Sequence, residues 1–134
     1  MSITRTEVHS AIDTAAAAAF LNKYPGIFGN QKDLSLSSGT VSYFRERVHF
    51  PESNQFELGS PGRSRTEGVV VFTLYVRKGA GDGDRNLMSD IIAQAFRSKQ
   101  FGGATFLGMR ELPYQETENW CLTGVQIPFH FDEV

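Results

Sequence analysis

The sequence predicts one α+β domain spanning residues 1–134, with two helices packed on a mainly antiparallel, four-stranded sheet in the order α-β-β-α-β-β. Two segments carry this prediction. Residues 69–76, VVVFTLYV, are nearly all β-branched or aromatic, which is typical of a strand covered on both faces. Residues 87–96 repeat apolar side chains at helical intervals, so they predict a helix with one apolar face.

The first helix is expected to begin at Thr4, because Thr4 and Glu7 have the spacing of a capping box. Tyr24-Pro25-Gly26 should end it, since proline cannot continue a helix and glycine permits a turn. Residues 27–39 should then form a loop. Between Thr4 and Tyr24 the apolar positions of the predicted helix recur at helical intervals, namely Val8, Ile12, Ala15, Ala19 and Phe20.

Residues 40–50 predict the first strand, with Pro51 ending it. Alternation places Phe44, Val48 and Phe50 on one face and Arg45, Arg47 and His49 on the other.

Residues 51–65 show no periodicity and contain two prolines, so they predict a long mobile loop. Phe56 and Leu58 would be exposed on an isolated subunit, and we therefore expect them to meet a partner.

The last two strands are expected at residues 104–112 and 120–131, after Gly102-Gly103 has broken the second helix. A polar connection at 113–119 should join them. Pro128 has no N–H to donate, so the last strand should lie at an edge of the sheet or be unpaired at that point.

The glycine-rich stretch at 79–83 has two interpretations, a phosphate-binding loop or a simple turn before the second helix. Asp82 and Asp84 would repel an anion there, and they are better suited to cap the helix. A calcium loop is also disfavoured, because Leu87 and Ala93 occupy the positions where an EF-hand needs glycine and glutamate.

We expect no catalytic residue, cofactor or metal site. The histidines His9, His49 and His130 have no metal-ligand spacing, and Cys121 has no partner nearby in sequence. A Cys121 nucleophile paired with His49 or His130 stays open at this point. Carboxylates in or beside strands, such as Glu46, are expected to form ion pairs with neighbouring arginines.

Charge and hydropathy restrict the partners. The net charge of −2 argues against nucleic acid as the main partner, and no stretch of about 18 apolar residues could span a membrane. One cysteine fits a reduced, intracellular setting.

The charges are unevenly distributed along the chain. Cations cluster at Arg45, Arg47, Arg63, Arg65, Arg77 and Lys78, whereas residues 111–134 carry Glu111, Glu116, Glu118, Asp132 and Glu133. This indicates either an ordinary mixed surface or head-to-tail self-association.

The ordered motifs of the chain resemble the tail terminator family of long-tailed bacteriophages and related prophages. After the first helix come Tyr24-Pro25 and Phe28-Gly29-Asn30, and then the strand YFRERVHF at 43–50. Glu67-Gly68 leads the hydrophobic strand, which is followed by the Gly-x-Gly loop and a helix ending at Phe96. A tryptophan-led strand ends in PFHFD at 128–132. The resemblance covers most of the chain and departs from the family at residues 51–65.

The resemblance implies a structural virion protein without catalysis. Such proteins form a ring, a hexamer in relatives, that caps the tail tube, stops its polymerisation and offers a surface to head-completion or neck proteins. The expected location is the head-proximal end of the tail, and the host cytoplasm during assembly. Alternatives are another head–tail joining or tail-tube ring protein, or a small enzyme or ligand-binding domain. From charge and exposure we expect contacts at Arg45, Arg47, Phe56, Leu58, Arg63, Arg65, Glu116 and Glu118.

Overall fold

The computed structural model describes residues 4–21, 23–28, 42–55, 64–78, 83–113, 115–117 and 120–133. They form an α+β fold with helices α1 (Arg5–Phe20) and α2 (Gly83–Phe96). The strands are β1 (Gly26–Phe28), β2 (Tyr43–Gln55), β3 (Ser64–Arg77), β4 (Gln100–Phe101), β5 (Ala104–Phe106), β6 (Arg110–Glu111), β7 (Gln115–Glu116) and β8 (Trp120–Glu133). Neither helix is long and apolar enough to cross a bilayer.

The sheet follows the order β1-β2-β3-β8-β5-β4, with β6 and β7 also pairing with β8. Pairing is antiparallel except between β1 and β2, which are parallel. The α+β class is therefore confirmed, whereas the expected four-stranded sheet is too simple. Three long strands of 13, 14 and 14 residues, β2, β3 and β8, form the body of the sheet, and the other strands are short additions at its two sides.

Helix α1 begins as predicted, because the N–H of Glu7 donates a hydrogen bond of 3.1 Å to the hydroxyl of Thr4. It ends at Phe20, earlier than predicted, with Leu21 at a positive φ of 46°. Tyr24-Pro25-Gly26 leads instead into β1, within the stretch expected to be loop. A Cβ on Gly26 would lie 2.2 Å from Cζ of Phe44, so glycine allows β1 to approach β2 closely.

The predicted loop at 51–65 is wrong at both ends, because β2 continues to Gln55 and β3 begins at Ser64. Pro51 does not end β2. The pairing register shifts between His49 and Glu52, which leaves one extra residue on β2 opposite Gly68, and such a bulge accommodates a residue without an N–H. Phe56, Leu58 and Arg63 lie outside the described residues.

Strand β8 is not an edge strand, since it lies between β3 and β5. On the β5 side its pairing is interrupted between Gln126, which faces β6, and Phe129, which faces β5. Pro128 lies in that interruption, and its carbonyl accepts a hydrogen bond of 2.8 Å from the N–H of Leu107. Its nitrogen points to the same side, where no regular ladder needs a donor.

The region predicted as one strand at 104–112 is divided into β5 and β6, and the polar connection at 113–119 contributes β7. The glycine pair expected to break the chain forms the turn of the β4–β5 hairpin. Gly102 and Gly103 both have positive φ, 60° and 83°, which side chains rarely adopt and which two-residue hairpin turns require.

Both helices pack on one face of the sheet, which we call the inner face. The core there is rich in phenylalanine: the ring of Phe72 on β3 lies 6.3 Å from Phe20 of α1 and 5.4 Å from Phe96 of α2, between centroids. The predicted apolar stripe of α2 is buried at Met88, Ile91, Ile92 and Phe96, while Leu87 is exposed. The opposite face of β2, β3 and β8, which we call the outer face, is left for other contacts.

Candidate functional site

The outer face carries the predicted arginines. Arg47 of β2 lies opposite Val71 of β3, which in turn lies opposite Gln126 of β8. Arg47 is exposed, and Val71 is half-buried. Arg45, two residues earlier, is half-buried on the same side. Strand alternation therefore places both arginines on the predicted face, away from the helices.

One end of the outer face is already covered by the chain itself. Leu112, between β6 and β7, lies over Gly124, where a Cβ would come within 2.8 Å of the leucine side chain. Nearby, the rings of Tyr43 and Tyr75 stack at 4.4 Å, and Trp120 meets Tyr43 edge-on at 5.2 Å. The accessible part of the outer face is thus the stretch around Arg47 and Val71.

The predicted separation of charge is neutralised at two positions within the chain. Nε of Arg65 lies 3.0 Å from Oδ1 of Asp132, and Nζ of Lys78 lies 3.9 Å from Oε2 of Glu116. These pairs arise because β3, which carries cations, is the direct neighbour of β8, and β7 pairs with β8. The electrostatic argument for a basic patch meeting an acidic patch on another subunit is therefore lost at these positions, and Glu118 lies outside the described residues.

Asp84 is a structural acceptor at the start of α2. It lies inside the first turn of α2, which begins at Gly83, and so does not act as the predicted cap. Its carboxylate accepts hydrogen bonds from the hydroxyls of Tyr24 at 2.9 Å and Ser42 at 3.0 Å. Burial and this carboxylate raise the pKa of Tyr24 to about 12. Asp84 thus ties α2 to the segments before β1 and β2, while Asp82 lies outside the described residues.

The open Cys–His alternative fails on distance. Cys121 and His130 are both on β8, nine positions apart, which separates them by about 30 Å in an extended strand. His49 pairs with Val69, opposite Pro128, so it lies about 23 Å along the sheet from Cys121. Neither histidine can activate this thiol within one chain.

A cluster that the sequence analysis missed lies under α1. Glu46 of β2 is fully buried on the inner face, and its neighbours from α1 are His9 and Asp13. Nε2 of His9 lies 3.6 Å from Oδ1 of Asp13, one turn away on the helix. One candidate ligand atom from each residue falls within 4.8 Å of the others, so these three residues could hold a metal ion. We define them as the α1–β2 cluster.

The predicted ion pairing of Glu46 with Arg45 or Arg47 is wrong, because Glu46 points to the opposite face of β2. Burial, together with the adjacent Asp13 carboxylate, raises the pKa of Glu46 to about 9. The sequence did hold the signal for this placement. Glu46 shares the alternation of Phe44 and Val48, which predicts an inward carboxylate, and His9 and Asp13 have the i, i+4 spacing of one helix face.

Comparison with known proteins gives information on the fold of this chain and none on its function. No protein-family model matches the chain. No curated protein matches it either. Eleven chains of solved structures do match. One of them, whose name describes no function, has a TM-score of 0.72 and 12% sequence identity, over 95% of this chain and 94% of that chain. At this identity the likeness shows that the α+β fold occurs elsewhere at the same length.

Proposed function

We propose that this chain is a structural virion protein of the phage tail terminator kind. Copies of it form a ring, with six as the expected number, that caps the tail tube, stops tube polymerisation and offers a surface to head-completion proteins. The supporting observation is the outer face of the sheet, where Arg47 and half-buried Val71 lie on long, paired strands opposite both helices. The choice of a phage tail as the assembly rests on the resemblance of the ordered sequence motifs to the tail terminator family.

This surface suits assembly because it combines apolar and cationic side chains on neighbouring strands of one sheet. Val69 and Val71 are half-buried on β3, and exposed Arg47 and His49 flank them on β2. Burying the valines in a contact would be favourable, while the arginine sets the orientation of the partner. A closed ring uses two different surfaces of each subunit, so the outer face should meet another part of its neighbour and not its own copy.

The remaining predicted contact residues fall into two groups, one for the tail tube or the head-completion protein and one for the rim of a contact. Phe56, Leu58 and Arg63 belong to the connection between β2 and β3, and we propose that they contact the tail tube or the head-completion protein. Arg65 and Glu116 have partners in their own subunit, so we assign them to the rim of a contact, where charges contribute little to affinity.

Negative-stain microscopy and light scattering of the purified protein, alone and mixed with isolated tail tubes, test this function. Finite rings and binding at one end of the tubes are expected. Raising the salt should weaken assembly, because charges are screened over about 10 Å at ~0.1 M ionic strength. Growth into tubes would indicate a tube subunit, and binding to heads without tube ends would indicate a joining protein. Monomers at millimolar concentration and low salt, with no binding to tubes, would reject the proposal.

A further inference from the structure

The α1–β2 cluster contains a buried carboxyl group, that of Glu46, which the described residues leave without a hydrogen-bond partner. Neither carboxylate oxygen of Glu46 has a hydrogen-bond partner in the described part of the chain, and the buried Oδ1 of Asp13 has none either. When both groups are ionised, two carboxylates meet and neither can donate to the other. A buried, unpaired carboxylate is among the most costly groups in a protein, so a proton or a cation must satisfy this one.

We propose that His9, Asp13 and Glu46 bind a divalent transition-metal ion, Zn²⁺ in the first instance, which fastens α1 to β2. Three observations carry this proposal independently of ring formation. The candidate ligand atoms lie within 4.8 Å of one another, the side chains come from two different elements, and fully buried Glu46 directs unpartnered oxygens into the cluster.

The ligand set determines the class of ion. One imidazole nitrogen and two carboxylate oxygens are ligands that Zn²⁺ accepts at about 2.0–2.2 Å, and imidazole disfavours Mg²⁺ and Ca²⁺, which take oxygen ligands. A small closure of the three side chains would bring ligands now within 4.8 Å onto one ion. The fourth position of a tetrahedral site would be filled by water.

The ion has a route into the cluster. The side chains of His9 and Asp13 are each 41% exposed, whereas Glu46 is fully buried beneath them. An arriving cation would therefore meet the helix ligands first and reach Glu46 second. Because the ligands join residues of α1 to a residue of β2, metal binding would hold the middle of the helix against the sheet and stabilise the folded state.

Thermal denaturation of metal-free protein, titrated with Zn²⁺, tests the site. The wild-type midpoint should rise with Zn²⁺ and return when a chelator is added, and at about 100 times Kd the folding equilibrium should shift about a hundredfold. His9→Gln and Glu46→Gln should each weaken the Zn²⁺ affinity at least about tenfold. Each variant is compared with its own metal-free baseline, because Glu46→Gln also changes the stability of the metal-free protein by replacing a buried carboxyl group.

Two variants control for binding elsewhere. His49→Gln removes an exposed histidine on the outer face, and Cys121→Ser removes the thiol beside Glu116 in the β7–β8 ladder. Both should retain the full response to Zn²⁺. Substituted Co²⁺ should give visible absorption typical of nitrogen and oxygen ligands without a thiolate band.

The proposal is overturned by the absence of any Zn²⁺-dependent shift in the wild type, by a shift that survives His9→Gln or Glu46→Gln, or by its loss in Cys121→Ser. An equal response to Mg²⁺ would overturn the assignment to a transition metal. None of these measurements depends on ring assembly, so a failure of the metal site leaves the proposed function standing, and a monomeric protein can still bind the ion.

Discussion

Arg65 and Asp132 lie directly opposite each other in the β3–β8 ladder, with Nε of the arginine 3.0 Å from Oδ1 of the carboxylate. They are 67 residues apart in sequence. Opposite charges that lie in two distant segments of the sequence are therefore direct neighbours in the folded chain at this position. Charge patterns along a sequence predict separate patches only when the segments that carry them do not share a ladder.

We expect this ion pair to contribute little to stability. Its side chains are 41% and 38% exposed, and exposed pairs are screened by water and salt. Arg65→Ala and Asp132→Ala should each leave the thermal midpoint within error of the wild type, and a double-mutant cycle should give a coupling near zero at 0.5 M salt. A strong coupling that persists at high salt would contradict this expectation and indicate that the pair fixes the ends of β3 and β8.

Arg45 and Arg47 should matter for assembly and not for folding. Arg45→Glu with Arg47→Glu reverses two charges on the outer face, while the core beneath β2 stays unchanged. Circular dichroism should be unaltered, and light scattering and microscopy should show loss of rings. Arg97→Glu with Lys99→Glu makes the same change in charge after α2, at exposed residues on another surface, and should assemble normally. Unfolding of the first variant would instead assign the arginines to contacts within the subunit.

The sequence predicted correctly those elements that are marked by a helix cap or by a regular spacing of buried apolar residues. The Thr4–Glu7 cap, the strand at 69–76 and the apolar face of α2 were all found, because capping chemistry and periodicity act within a few residues. Such signals report burial and not pairing. They could not show that β1 pairs in parallel with β2, or that β8 lies inside the sheet, since those contacts join distant segments.

Two prolines were expected to interrupt the predicted strands or their pairing. Pro51 was expected to end a strand, yet β2 continues through it. Pro128 was expected inside the last strand, either at an edge of the sheet or unpaired at that point; β8 is not an edge, but Pro128 has no ladder partner among the described residues on its β5 side. In each case the ladder is irregular at the position where the donor is missing, through a bulge opposite Gly68 and through the gap between β5 and β6. A long antiparallel ladder can tolerate such interruptions, because the paired residues on either side maintain the register. The sequence did not predict the candidate metal site, because its three ligands come together only when α1 packs on β2.

Gly68 should be essential to the bulge. A Cβ at this position would lie 2.5 Å from Cζ of Phe129 and 2.7 Å from the carbonyl oxygen of His49. The aromatic ring is fully packed and the carbonyl belongs to the backbone, so neither can move freely. Gly68→Ala should destabilise the protein by about 1–3 kcal/mol, the usual cost of overpacking a core. Gly108→Ala, where a Cβ meets nothing within 4 Å, is the matched control. Chemical denaturation of both variants measures the difference, and equal stabilities would show that the bulge relaxes at little cost.

The buried carboxyl group of Glu46 should make the metal-free protein less stable as the pH rises. The pKa of this group is about 9 in the folded chain, raised first by burial and then by Asp13, and about 4.5 when unfolded. Between these values the folded state holds a proton that the unfolded state has lost. The stabilisation is therefore complete below about pH 4.5 and is lost progressively as the pH rises to about 9.

Denaturation in a chelating buffer at pH 5 to 9 measures this dependence. The contribution of Glu46 to the slope should be at most about 1.4 kcal/mol per pH unit, which is the value for one proton. Glu46→Gln should remove that contribution and be more stable than the wild type at pH 8, because its amide can donate to the Asp13 carboxylate without the cost of protonating a carboxyl group that is ionised in the unfolded chain. Asp13→Asn should reduce the slope only in part, since burial is the larger cause of the raised pKa. Identical pH profiles for the wild type and Glu46→Gln would mean that Glu46 is already ionised at neutral pH and is satisfied by another group.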